Sequence, residues 1–189
     1  MVKWILIGQP IVVSQDIFEY HTGRRQALDI SGDGTIVAIA SENHVNVFWL
    51  SSDGNSWVRH GQNFTNVTSV NDCCGSIATQ LTVNGDILAI ATTSTDGPEG
   101  DSGYTAMYEF SSETQLWELI GERIPGFQVY TCSKAISLSA DGSVVAVGNP
   151  SEIGTGEVRV YSRDFWNCPS NVTWCQIGRS IIGGDYEDL

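Results

Sequence analysis

Ala135-Ile136-Ser137-Leu138-Ser139-Ala140-Asp141-Gly142-Ser143-Val144-Val145-Ala146 is one of three copies of the same stretch. Laid without gaps on Ala27 and Ala78, it puts an apolar residue at the fourth place (Ile30, Leu81, Leu138). Asp33-Gly34, Asn84-Gly85 and Asp141-Gly142 then coincide, and so do Ala38, Ala89 and Ala146. A second frame repeats around Trp4, Trp57, Trp117 and Trp174, spaced by 53, 60 and 57 residues. Each Trp is followed by a Gly and then an apolar residue: Gly8 and Ile11, Gly61 and Phe64, Gly121 and Ile124, Gly178 and Ile181. Repetition on this scale determines the architecture before any local propensity does.

Asp-Gly or Asn-Gly between apolar runs predicts a tight hairpin with a two-residue turn, because Gly and Asn tolerate positive φ. The following strand is nearly all apolar (Ile36 to Ala40, Ile87 to Ala91, Val144 to Val147), which predicts cover on both faces. A third strand follows at 45–48, 105–108 and 158–161, and the Trp segment supplies the fourth. The prediction is an all-β chain of propeller-type blades, each of four antiparallel strands. Three full blades fall at 24–63, 75–124 and 133–181. Residues 1–23 add an extra outer strand and loop, and 182–189 begin a further repeat or form a tail. Three blades do not close a ring of four or more. Part of a longer array is the favoured arrangement, then association between copies, then a free-standing wedge that leaves two sheet faces bare.

The run from Ala135 through Gly148-Asn149-Pro150, with Gly156-Glu157-Val158-Arg159-Val160-Tyr161, resembles the FG-GAP repeat of integrin-α-type β-propellers. Blades 1 and 2 keep the hairpin but carry Ala40-Ser41-Glu42 and Ala91-Thr92-Thr93 where that family has Gly-Ala-Pro. The resemblance implies extracellular binding or adhesion, with calcium in the hairpin loop of some members. Ser31-Gly32-Asp33-Gly34 and Ser139-Ala140-Asp141-Gly142 offer one carboxylate each in a turn too short to wrap such an ion, so neither a metal nor another cofactor is expected.

The chain has 22 acidic against 9 basic residues and a net charge of −13. That field disfavours nucleic acid and anionic lipid as partners, and no stretch has the length of a membrane span. Lys3 ahead of an apolar run is reminiscent of a signal peptide, but Trp4, Gly8 and Ile11 stand in repeat register and Gln9-Pro10 interrupts the run. The strand reading is preferred. Cys168 and Cys175 flank Trp174 in an insertion confined to blade 3, at a spacing a disulfide can close. Cys73, Cys74 and Cys132 precede inner strands of adjacent blades, which makes Cys74–Cys132 a second candidate pair. Disulfides and the sequons at Asn63, Asn66 and Asn171 point to an extracellular or secretory location, with Asn171 the best exposed of the three.

Catalytic signatures are sparse. His21, His44 and His60 have no metal-ligand spacing, and no nucleophile elbow or phosphate loop occurs. The expectation is a non-enzymatic module that recognises a protein or glycan through its loops, the alternative being a structural protein that completes its blades with further repeats or copies of itself. Candidate ligand residues are Asp96, Glu99 and Asp101, in a Gly-rich loop that either holds a hard cation or, preferably, is a solvated turn. Trp49 and Trp166 stand outside the Trp frame and are candidate stacking or interface aromatics.

Overall fold

A computed structural model of the chain describes residues 3–12, 27–41, 44–65, 67, 77–92, 103–126, 135–149 and 155–184. The described residues contain strands and turns and no helix. They form three antiparallel sheets, each built in simple meander order. Blade 1 holds β1 (Ala27–Ile30), β2 (Ile36–Ser41), β3 (His44–Leu50) and β4 (Trp57–Arg59). Blade 2 holds β5 (Ile77–Leu81), β6 (Ile87–Thr92), β7 (Tyr104–Ser111) and β8 (Leu116–Leu119), with β9 (Ile124–Pro125) returning to β7. Blade 3 holds β10 (Ala135–Leu138), β11 (Val144–Asn149), β12 (Glu157–Ser162) and β13 (Cys175–Gln176), with β14 (Ile181–Ile182) returning to β12.

The repeated alanines fix the register identically in each sheet. Ala38 pairs with Val47, Ala89 with Met107 and Ala146 with Val160. Because side chains alternate across a strand, each blade acquires a small-residue face and a large-residue face. The small face of blade 1 (Ala38, Ala40, Val45, Val47) packs on Leu88, Ile90 and Trp117 of blade 2. Ala89 and Met107, on the small face of blade 2, pack on Val145, Val147, Tyr161 and Trp174 of blade 3. The blades therefore stack face to face in one repeated sense, as in a propeller that is not complete.

Three local expectations change. Cover on both faces holds throughout β6, the strand between two blades, but only for part of β2 and β11, whose blades each have one face without a described neighbour. The hairpin turns are not two-residue turns of paired positive φ. Gly34, Gly85 and Gly142 lie at φ 75°, 75° and 69°, while their Asp or Asn partners do not share the left-handed region. Each Gly N–H donates to the carbonyl of Ser31, Thr82 or Ser139 three residues back. That is a type I turn ending in a left-handed Gly. The Ser or Thr hydroxyl closes the loop by accepting from the N–H of Ile36, Ile87 or Val144. Finally, residues 3–12 form no strand ladder, although they lie where an outer strand belongs.

Their placement follows from a contact made three times. The Trp57 indole N–H donates to the Ile7 carbonyl at 3.2 Å, Trp117 to His60 at 2.9 Å and Trp174 to Ile120 at 2.9 Å. In each case the acceptor directly precedes the framework Gly, whose φ is 68° at Gly8, 82° at Gly61 and 67° at Gly121. A Cβ at Gly61 would stand 2.5 Å from the Trp117 ring. The glycine is needed both for its backbone angle and for the ring above it. Trp117 and Trp174 are 3% and 4% exposed. Trp4, which stands in the same frame, is 98% exposed, and no described residue of a preceding blade lies beneath it.

Candidate functional site

A cleft of about 450 Å³ opens at the outer rim between blades 1 and 2, lined by Trp49, Arg59, His60, Gly61, Gln62, Gln115 and Leu116. Trp49 belongs to β3, Arg59 ends β4, and Leu116 begins β8. Gln115 sits in the β7–β8 turn at φ 58°, held by its N–H donating to the Ser111 carbonyl at 2.8 Å. A non-glycine residue in the left-handed region is uncommon, and here it closes the turn that forms the cleft wall.

His60 is central to the wall. Its backbone N–H donates to Val47 at 2.8 Å, its carbonyl takes the Trp117 indole, and its ring stacks on Phe110 with centroids 3.8 Å apart. Burial pushes the imidazole below its ordinary pKa, so the ring is neutral at pH 7. Gln62 grips the next blade, its amide donating to the Trp117 carbonyl at 2.7 Å and accepting from the Trp117 N–H at 2.8 Å. The Arg59 guanidinium donates to Asn46 Oδ1 at 2.6 Å and lies over Phe48, on the opposite face of blade 1. The cleft consequently presents an aromatic face, an aliphatic edge, a neutral imidazole and an amide. Trp49 is 42% exposed and Leu116 45%. Such walls stack on flat apolar groups and hydrogen-bond neutral ones; they do not form a charged grip.

Of the described residues singled out from sequence as ligand candidates, Trp49 lines this cleft and Trp166 does not. Trp166 is 87% exposed beside Phe165 on the blade 3 insertion, apart from it. Cys168 and Cys175 are disulfide-bonded with Cα atoms 5.7 Å apart, and Asn171 is exposed in the loop they close. Asn63 is also exposed. Asp96, Glu99, Asp101, Cys74, Cys132 and Asn66 lie outside the described residues. No group of three or more His, Cys, Asp or Glu side chains suited to a metal occurs among the described residues. His60, Gln62, Gln115 and Leu116 were not apparent as site residues in the sequence. For His60 and Gln62 the signal was their place on either side of framework Gly61.

The hairpin carboxylates serve their own turns. Asp141 Oδ1 accepts from Ser139 Oγ at 2.7 Å, Ser143 N at 3.0 Å and Ser143 Oγ at 2.8 Å, and these bonds hold its pKa at about 2. Asp33 repeats the pattern with Ser31 and Thr35. Glu122 has an inter-blade role. Burial alone would raise its pKa, but the N–H groups of Trp174 and Thr173 outweigh that and hold it below the ordinary value.

Neither a protein-family model nor a curated protein sequence matches this chain. Solved structures do. Two putative 6-phosphogluconolactonases are similar, from Bacteroides uniformis (TM-score 0.54, 17% identity, covering 90% of this chain and 45% of that one) and Bacteroides fragilis (0.56, 13%, 98% and 47%). Sqt1 of Saccharomyces cerevisiae is similar at TM-score 0.53 and 15% identity, covering 89% of this chain and 38% of its own. The chain spans less than half the length of each, and at these identities the likeness is one of fold. It nevertheless overturns one expectation. The sparse catalytic signatures predict a non-enzymatic module, yet two of the similar folds carry an enzyme's name, so the architecture gives no ground for that exclusion.

Proposed function

We propose that the chain is a recognition module of FG-GAP-like blades, working outside the cell or in the secretory pathway, and that it binds a protein or glycan at the rim cleft between blades 1 and 2. The observation that carries this reading is the half-exposed Trp49 facing a cleft whose other walls are Leu116, neutral His60 and Gln115. A sugar ring or an aromatic side chain offers the flat face and neutral polar edge these groups complement. The Cys168–Cys175 disulfide fits an oxidising compartment, and the exposed sequon at Asn171 fits the same location. The Gly148-Asn149 end of β11 and the Val158 to Tyr161 strand support the FG-GAP type.

The test is a glycan array and a peptide array probed with the wild-type chain, Trp49→Ala, Gln115→Ala and the triple variant Asp96→Ala, Glu99→Ala, Asp101→Ala. Loss of a signal in the first two variants, with the triple variant unaffected, is the expected result. A signal lost only in the triple variant moves the site to the 93–102 loop, and a signal indifferent to Trp49 removes the cleft.

A further inference from the structure

The indole seat is built a fourth time, on blade 3, and no described residue occupies it. Gly178 has φ 71°, matching Gly8, Gly61 and Gly121, and it follows Ile177 as they follow Ile7, His60 and Ile120. A Cβ placed on Gly8 or Gly61 would meet a Trp ring, and one on Gly121 would meet Thr173, the neighbour of Trp174. Nothing described lies within 4 Å of the same point on Gly178. The small face around it, with Ala146 and Gly148 on β11 opposite Val160 and Val158 on β12, has the pattern that receives a large face at both internal interfaces. Blade 1 has the complementary surplus: Leu28 and Ile30 are exposed on the same face as Phe48 and Trp57.

A second feature of the internal interfaces points to the same partner. The aligned polar side chain of β1 or β5 accepts from the next blade: Asp29 Oδ2 from Leu81 N, and Gln80 Oε1 from Leu138 N, both at 2.6 Å. In blade 3 this place belongs to exposed Ser137, and in blade 1 the residue at the donor place is Ile30.

We propose that the free face of blade 3 is a docking surface for blade 1 of a second copy of this chain, with Trp57 of that copy seated on Gly178 and its indole N–H donating to Ile177 O. Ser137 meets Ile30 N in the same register. Arg179 stands where Gln62 and Glu122 stand at the internal interfaces. There Gln62 and Glu122 both accept from the Trp N–H; Arg179, having only donors, does not repeat that bond and instead donates to the Trp57 carbonyl, as the Gln62 amide nitrogen does to that of Trp117. Residues 3–12 now hold the seat on Trp57, and they carry the same frame as 174–181. They yield easily, because the Trp57–Ile7 bond is the longest of the three and Ile5, Leu6 and Val12 are exposed already. The contact is head to tail, and two copies make six blades, within the range that closes as a ring. This inference is independent of the rim cleft.

Light scattering after size exclusion, across a wide concentration range and at low and high salt, tests it. The expected mass is twice 20.5 kDa, with the dimer favoured by salt because each copy carries a net charge of −13. Ala146→Arg and Val160→Arg, both on the free face, halve the mass while far-ultraviolet circular dichroism stays unchanged. Trp57→Phe, which keeps the ring and removes the donor, weakens the dimer, and deletion of residues 1–12 strengthens it. A monomer at every concentration overturns the proposal, as does a dimer indifferent to both arginine variants.

Discussion

Replacing Gly61 by Ala tests the inter-blade seat against a control elsewhere in the chain. Gly61 lies at φ 82° and a Cβ there would stand 2.5 Å from Cδ1 and 2.9 Å from Nε1 of Trp117. Gly54, in the β3–β4 turn, has φ 71° and nothing within 4 Å of the same point. Both substitutions carry the left-handed cost, about 1–2 kcal/mol. Both also gain the same small entropic benefit in the unfolded chain, which cancels in the comparison. Only Gly61→Ala drives a methyl group into a packed ring, adding about 1–3 kcal/mol for overpacking. Urea unfolding followed by tryptophan fluorescence should therefore place Gly61→Ala about 1–3 kcal/mol below Gly54→Ala, through a lower midpoint at similar slope. Equal losses would refute the reasoning, since the Gly at this position would then serve the backbone angle alone.

Three further outcomes follow from the same geometry. Burial lowers the pKa of His60 from its usual 6.5, so the unfolded chain binds the proton more tightly; stability should be full above pH 6.5 and decline as pH falls below it, and His60→Phe should flatten that part of the curve. Asp141 should titrate at about 2 by carbon-detected NMR, and Ser139→Ala should move it toward 3.8. The stability this carboxylate contributes is present above 3.8 and lost as pH falls through about 2. Reducing the Cys168–Cys175 bridge, whose partners are 7 residues apart, should cost about 2 kcal/mol by loop entropy and leave the stacking of blades 1 and 2 unchanged, read from separate unfolding of the variant pair Cys168→Ser, Cys175→Ser.

The inner three strands of each blade were legible because Ala38, Ala89 and Ala146 stand at one register position and the Asp-Gly or Asn-Gly pairs punctuate the pattern without a gap. Turn chemistry was less legible. The Asp-Gly pair suggested a two-residue hairpin, whereas the hydroxyls of Ser31, Thr82 and Ser139 build a longer loop that reads as the same dipeptide. The Trp frame predicts one continuous outer strand, but positive φ at Gly121 and Gly178 breaks it into β8 with β9 and β13 with β14. A glycine inside a strand pattern is the mark of such a break. The cleft was visible only through Trp49. His60, Gln62 and Gln115 come together across blades, and their proximity depends on how one sheet lies on the next, which spacing along the chain does not encode. Asp29 and Gln80 show the same limit, since each reads as an exposed strand polar group until the neighbouring blade supplies Leu81 or Leu138.

The repeated indole seat underlies the stacking, the open site on blade 3 and the bare large face on blade 1. Hydrogen exchange of the six indole N–H groups, resolved in a ¹⁵N-tryptophan NMR spectrum, tests it most directly. Trp117 and Trp174 should exchange slowly and show contacts to Gly61 and Gly121, while Trp4, Trp49 and Trp166 exchange at solvent-exposed rates. Rapid exchange at both Trp117 and Trp174 would contradict the account.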